Sequence, residues 1–233
     1  MSERPPPRLF VALDLPNATE AGRMAKKLAG IGVGLKIGLE LFVAEGPAGV
    51  RALAADQPLF LDLKLHDIPN TVAGAVKSAL ALGPTFLTVH AGGGRAMMQA
   101  AAETVLAARA SSRVIAVTVL TSLDQSDLSE GGIQGGLADH AVRMARLAKA
   151  AGLAGVVCSP HEVKPLRAAL GRDMLLVVPG VRPAGAAAGD QKRVMTPAEA
   201  RAAGADVLVI GRPIVQAPDP RAAARAMIEQ IAD

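Results

Sequence analysis

The feature that most restricts the fold is a rhythm. Short apolar runs recur at residues 9–13, 33–37, 59–65, 86–89, 114–120, 155–157, 175–178 and 207–210, with longer Ala-rich stretches between them. Short continuous apolar runs suit buried parallel strands, whose two faces are both covered. The intervening stretches read as helices. Over residues 137–151, for example, Leu137, Ala141, Met144, Ala148 and Ala151 recur at helical spacing. Eight units in 233 residues allow about 29 residues each, which predicts an α/β chain folded as a single-domain (β/α)8 TIM barrel. An open doubly wound sheet has the same units, since counting them does not prove closure. No linker, low-complexity block or repeat divides the chain, so the reading is a frayed leader over residues 1–7 and one barrel over residues 8–233.

Composition excludes several classes of function. The chain is 51% hydrophobic, too apolar for a disordered protein. No apolar run reaches the roughly 18 residues that span a bilayer, so no membrane partner is expected. Residues 1–7 lack the apolar stretch of a secretory signal, and Cys158 is the only cysteine. That pattern predicts a cytoplasmic protein with no disulfide framework and no Cys-based zinc site. Trp and Tyr are absent and the basic residues are scattered, although the net charge is +4. Base stacking is therefore almost unavailable, no nucleic acid polymer is expected as partner, and a small anionic ligand fits the surplus equally well.

The third run is the most informative. In Pro58-Leu-Phe-Leu-Asp-Leu-Lys-Leu-His-Asp67, alternation places Leu59, Leu61, Leu63 and Leu65 on one face, toward the helices. Phe60, Asp62, Lys64 and His66 take the other, into the barrel. The same rule turns Phe10, Ala12 and Asp14 inward from the first strand and Lys36 from the second. From the fourth it turns Thr88 and His90 inward. Asp14, Lys36, Asp62, Lys64 and His90 then converge at the rim where barrel enzymes place their chemistry. A buried ion network that only holds the barrel together is the alternative, but such networks rarely stabilise more than apolar packing does. His90 alone is equally well read as a hydrogen-bonded core residue.

A phosphate site is expected in the loops after strands seven and eight. Pro179-Gly-Val-Arg182 and Gly211-Arg212 stand there, with glycines that let backbone approach an anion and arginines that fork onto its oxygens. The loop over 182–193 is long and reads as a lid. Gly131–Gly136 forms a second break in the rhythm, and Gly92-Gly93-Gly94 reads as a simple turn. A Ser/Cys–His nucleophile at Cys158-Ser159-Pro160-His161 lacks an orienting third residue, and the four His show no metal-ligand spacing.

Asp62-Leu-Lys-Leu-His-Asp67-Ile-Pro-Asn-Thr71 resembles the active-site signature of the orotidine 5′-phosphate decarboxylase family, and the likeness spans the chain. Ala12–Pro16, Leu35–Gly38, Val89–Ala91, Val117–Ser122, Pro179–Pro183, Gly189–Gln191 and Ile210–Pro213 are similar to the family's other motifs. The resemblance implies decarboxylation of orotidine 5′-phosphate to UMP and CO₂, the last step of UMP biosynthesis, by a carboxy-lyase that uses no cofactor and no metal. It implies Lys64 as proton donor, Asp62 facing the substrate carboxylate, and Lys36 and Asp14 at the ribose. Thr121 would bond the pyrimidine, while Arg182, Gln191, Gly211 and Arg212 would hold the phosphate. Asp67, Ile68 and Thr71 would reach into the partner's site of a homodimer with composite active sites.

Two other readings remain at this point. One is a Mg²⁺-dependent sugar-phosphate decarboxylase or aldolase of the 3-keto-gulonate-6-phosphate decarboxylase type. The other is a non-catalytic barrel that binds nucleotide phosphate, for which Lys64 and Asp62 would have no use.

Overall fold

Eight parallel strands pair in chain order and close into a barrel, with β8 hydrogen-bonded back to β1, which excludes the open sheet. The structure is a computed structural model and describes residues 6–54, 57–183 and 195–232. The strands are β1 (Leu9–Ala12), β2 (Gly34–Gly38), β3 (Leu59–Leu65), β4 (Phe86–His90), β5 (Arg113–Val117), β6 (Gly155–Val157), β7 (Leu175–Pro179) and β8 (Val207–Ile210). The helices are α1 (Ala18–Leu28), α2 (Leu39–Ala54), α3 (Pro69–Leu80), α4 (Gly94–Ala107), α5 (Gln125–Glu130), α6 (Leu137–Ala150), α7 (Val163–Leu170), α8 (Pro197–Ala203), α9 (Arg212–Val215) and α10 (Pro220–Gln230). No helix of the described residues is long and apolar enough to cross a membrane.

Alternation along the strands builds two separate cores. Outward residues such as Leu9, Val11, Leu35, Ile37, Leu59, Leu61, Leu87 and Val89 pack under the helices. Inward ones form a smaller core of Phe10, Phe60, Phe86, Ile115, Val177, Val207 and their neighbours. Three of the four Phe in the chain thus lie inside the barrel. Their rings meet in pairs at 5.4–5.6 Å, two of the three contacts edge to face, the geometry that aromatic quadrupoles favour. Gly34 pairs with Phe10 in register, and a Cβ there would collide with the Phe10 ring. A missing side chain on one strand makes room for a large one on the next.

Two features depart from the sequence reading. The fifth strand ends at Val117 rather than residue 120. The Thr118 N–H and hydroxyl both donate to the Val157 carbonyl, at 3.3 and 3.1 Å, and the chain then leaves the sheet. Val119 packs instead with Leu128 and Ala141 in a small satellite core. The expected glycine loop is preceded by α5, a helix too short for periodicity to reveal, started by a capping box between Asp124 and Asp127. Gln125 ties the loop down, donating to the Gly135 carbonyl at 3.0 Å and accepting from the Leu137 N–H at 2.9 Å.

The aromatic floor carries a clear expectation. Phe86→Ala should lower the unfolding free energy by about 3–5 kcal/mol, because the closed barrel cannot collapse onto the cavity. A urea titration should show an earlier midpoint with an unchanged slope.

Candidate active site

Above the Phe floor the inward side chains become charged. Lys36, from β2, places its Nζ 2.7 Å from Asp14 Oδ1 and 3.9 Å from Asp62 Oδ2. Lys64 Nζ lies 2.8 Å from the same Asp62 oxygen. The other oxygen, Asp62 Oδ1, accepts the Thr88 hydroxyl at 2.9 Å. Lys36 is buried, and Asp14 is exposed at the mouth. Two cations and two carboxylates therefore alternate across adjacent strand ends, each charge facing its opposite. Such pairing offsets part of the several kcal/mol that desolvating an ion costs.

Local backbone geometry brings Asp62 and Lys64 together. Between Leu61 and Leu65 the pairing of β3 with β4 shifts register, so β3 spends two more residues than β4 over the same interval. Within that irregularity Lys64 adopts φ 50°, in the left-handed region. A non-glycine residue pays about 1–3 kcal/mol for this, and such residues concentrate at functional sites. Gly38 serves the same cluster from β2. A Cβ on it would come 3.1 Å from Lys36 Nζ and 3.4 Å from Asp14 Oδ1, so its absence leaves space for that ion pair.

The cluster forms one side of a cavity of about 280 Å³ at the C-terminal ends of the strands. Of the residues expected at the site, Asp14, Lys36, Asp62, Lys64, Thr121, Arg182, Gly211 and Arg212 all line it. Val119, Leu120 and Val157 supply an apolar wall, and Gln216 lies beside the Gly211-Arg212 end. Sequence reasoning missed Val119 and Leu120 because it assigned them to a strand. Gln216 follows a four-residue helix that has no periodic signal. Arg182 is buried, and its N–H donates to the Met195 carbonyl at 2.9 Å, which joins the two ends of the long loop. Gln191 and most of the expected lid lie outside the described residues.

Asp67, Ile68 and Thr71 are not brought to this cavity. All three are exposed at the start of α3, and Asp67 Oδ1 accepts the Ile68 N–H at 2.6 Å. The inward alternation expected to continue through His66 and His90 stops as well. Neither lines the cavity, because β3 ends at Leu65 and the two imidazoles stack on each other at 5.3 Å, nearly parallel. His90 Nδ1 accepts the Gly92 N–H at 3.1 Å. Burial, His66 and the Lys64 ammonium together push its pKa down.

The nucleophile rejected from sequence is unsupported by geometry too. Cys158 is fully buried, and burial pushes its thiol well above the ordinary range. Among the described residues no group of three or more His, Cys, Asp or Glu side chains is placed to hold a metal ion.

A closed (β/α)8 barrel whose strand-end cavity is lined by paired charges and two arginines has the layout of a barrel enzyme, with its chemistry at the C-terminal ends of the strands. Residues 7–227 match the Orotidine 5′-phosphate decarboxylase / HUMPS family, and the chain belongs to it. A protein named orotidine 5′-phosphate decarboxylase from Anaeromyxobacter sp. (strain K) is 59% identical over 96% of this chain and 98% of its own. One of the same name from Halorhodospira halophila is 53% identical over 100% of this chain and 99% of its own. The crystal structure of orotidine 5′-phosphate decarboxylase from Lactobacillus acidophilus superposes with a TM-score of 0.87 at 38% identity, covering 98% of this chain and all of that one. With relatives of this name along its whole length, the chain is a carboxy-lyase.

Burial of the single thiol has a direct consequence. Native protein at pH 8 should not react with a thiol reagent, whereas protein unfolded in denaturant should release one equivalent.

Proposed function

We propose that this chain decarboxylates orotidine 5′-phosphate to UMP and CO₂ in pyrimidine biosynthesis. The observation that carries the reading is that the Asp14–Lys36–Asp62–Lys64 array and Arg182, Gly211 and Arg212 line one and the same cavity. That combination suits a phosphorylated nucleoside, with its anionic tail at the arginines and its ring toward Lys64. Charge-assisted hydrogen bonds from Arg182 and Arg212 and the Gly211 N–H hold the phosphate. Gln191, on the same loop as Arg182, adds a contact to phosphate and base. Asp14 and Lys36 hold the ribose hydroxyls, and Thr121 bonds the pyrimidine edge.

The reaction breaks the bond from C6 to the carboxylate carbon. CO₂ leaves without the bonding electrons, which stay on C6 in the plane of the ring. The ring's π system cannot spread that charge, so a fixed cation must stabilise it. The Lys64 ammonium supplies this field and then transfers one proton to C6, giving UMP, and the neutral amine regains a proton from water. Asp62 faces the departing carboxylate and holds Lys64 on the reacting side. Because the array is paired before substrate arrives, little reorganisation is needed during reaction.

We further propose a homodimer in which Asp67, Ile68 and Thr71 complete the partner's site. The three are exposed beside their own barrel mouth, and Ile68 is 67% exposed. Leu39 and Val43, on the preceding βα unit, add exposed apolar surface at 51% and 79%. A two-fold contact over this face donates Asp67 reciprocally.

The assay is the absorbance change of orotidine 5′-phosphate with purified protein in EDTA. Turnover should persist under chelation, and Lys64→Ala should lower it by at least ~10³-fold while UMP still binds. A loss in EDTA that Mg²⁺ restores would move the assignment to the sugar-phosphate enzymes. For the shared site, Lys64→Ala and Asp67→Asn homodimers should each be nearly inactive. After subunit exchange, half the dimers are mixed and each holds one intact site, so about a quarter of all sites should recover. Demonstrated exchange without recovery would place Asp67 in its own subunit.

A further inference from the structure

Thr88 belongs to none of the roles above, yet it touches both members of the reacting pair. It lies in β4, fully buried, and its hydroxyl makes two hydrogen bonds with different partners. Its oxygen accepts the Lys64 N–H at 2.9 Å, and its proton goes to Asp62 Oδ1 at 2.9 Å. The direction of both is fixed by chemistry. A backbone N–H only donates, and an ionised carboxylate only accepts, so the one hydroxyl proton must point at Asp62.

Each bond removes a freedom that the site cannot tolerate. The Lys64 N–H sits where the ladder between β3 and β4 breaks step, and the Thr88 oxygen takes the place of a backbone acceptor there. That contact pins the residue whose φ is 50°. The bond to Asp62 Oδ1 leaves Oδ2 facing both lysines, at 2.8 Å from Lys64 Nζ and 3.9 Å from Lys36 Nζ. Without it the carboxylate could rotate about its Cβ–Cγ bond and carry Lys64 Nζ with it.

We propose that Thr88 is a positioning residue for the decarboxylation, holding the Lys64 backbone and the Asp62 carboxylate in one geometry through a single hydroxyl. This rests on the function proposed above. It adds that proton delivery depends on a group that does not touch the substrate. Thr88 aligns the reacting end alone, so its loss should reduce kcat far more than affinity. A displacement of about 1 Å at a reacting group is worth roughly 100-fold.

The test compares Thr88→Val, which keeps the shape and removes the hydroxyl, with Thr88→Ser, which keeps the hydroxyl. The expected result is a kcat about 100-fold lower in Thr88→Val, with KM for orotidine 5′-phosphate and the affinity for UMP changed by less than about threefold. Thr88→Ser should restore most of the rate. A Thr88→Val enzyme with wild-type kcat, or a Thr88→Ser enzyme as slow as Thr88→Val, overturns the proposal. So does a loss confined to KM. Crystal structures of both variants give a second readout that needs no turnover. Asp62 should rotate and Lys64 should leave the left-handed region in Thr88→Val only, and an unchanged pair there overturns the proposal. Wild-type protein with no decarboxylase activity overturns the function instead, and the crystal structures then still decide the role of Thr88.

Discussion

Two ammonium groups held against Asp62 at the neck of a closed barrel set the conditions for the rest of the molecule. Ions in such a position lose much of their hydration, and apolar residues of the same volume would stabilise the fold as well or better. The array Asp14–Lys36–Asp62–Lys64 therefore costs something that the remainder of the chain must offset. The offset comes from two cores separated by one layer of strands, the Phe floor inside and the aliphatic shell outside. Rigidity follows from the same arrangement. Strands tied on both sides cannot drift, so side chains at their ends keep their spacing whether or not a ligand is present.

Much of this was legible because strand alternation is an uncompromising rule. Leu59 and Leu61 could not be outside without Phe60 and Asp62 being inside, and the barrel obeys this on β1, β2, β3 and β4. Alternation fails where the backbone stops being a regular strand. It turned His66 inward and offered His90 to the site, but β3 ends before His66 and the two rings stack on each other. It placed Val119 and Leu120 in β5, because an apolar run looks the same in a strand and in the loop that covers a small satellite core. The positive φ of Lys64 left no trace at all, since nothing in the residue type announces it. The hydroxyl of Thr88 was hidden for a related reason. Threonine is favoured in strands for its branched shape, so its presence there gives no hint of polar work.

The charged groups of the cavity are held in two ways. In the Asp14–Lys36–Asp62–Lys64 array every charged group is matched to an opposite one at short range, and the backbone under Lys64 is strained into place. Arg182, Gly211 and Arg212 instead stand in the loops after β7 and β8. This division matches what the proposed reaction demands. Contacts remote from the bond that breaks can supply binding energy in ground and transition states alike, and that energy can be used to order a loop and fix the ring. The lysine end must instead favour the transition state, and it can do so only if its groups are already aligned.

The apolar wall of the cavity is made without stacking partners. The chain has no Trp or Tyr, and among the described residues the only aromatic side chain at the cavity is Phe60, which belongs to the floor. Val117, Val119, Val157, Pro179 and Val209 are among the other apolar residues there. Valine has one strongly restricted side-chain torsion and proline has a fixed ring, so this surface is stiff and loses little freedom when it is covered. An aliphatic wall excludes water but does not fix a flat ring by stacking. Under the proposed function, in-plane orientation comes from polar groups at the ring's edge, the role proposed for Thr121, and from the tether to the phosphate. A ring held in that way by its rim and its tail would present C6 to Lys64 in one direction only, and the accuracy of that presentation would depend on how firmly Lys64 itself is held.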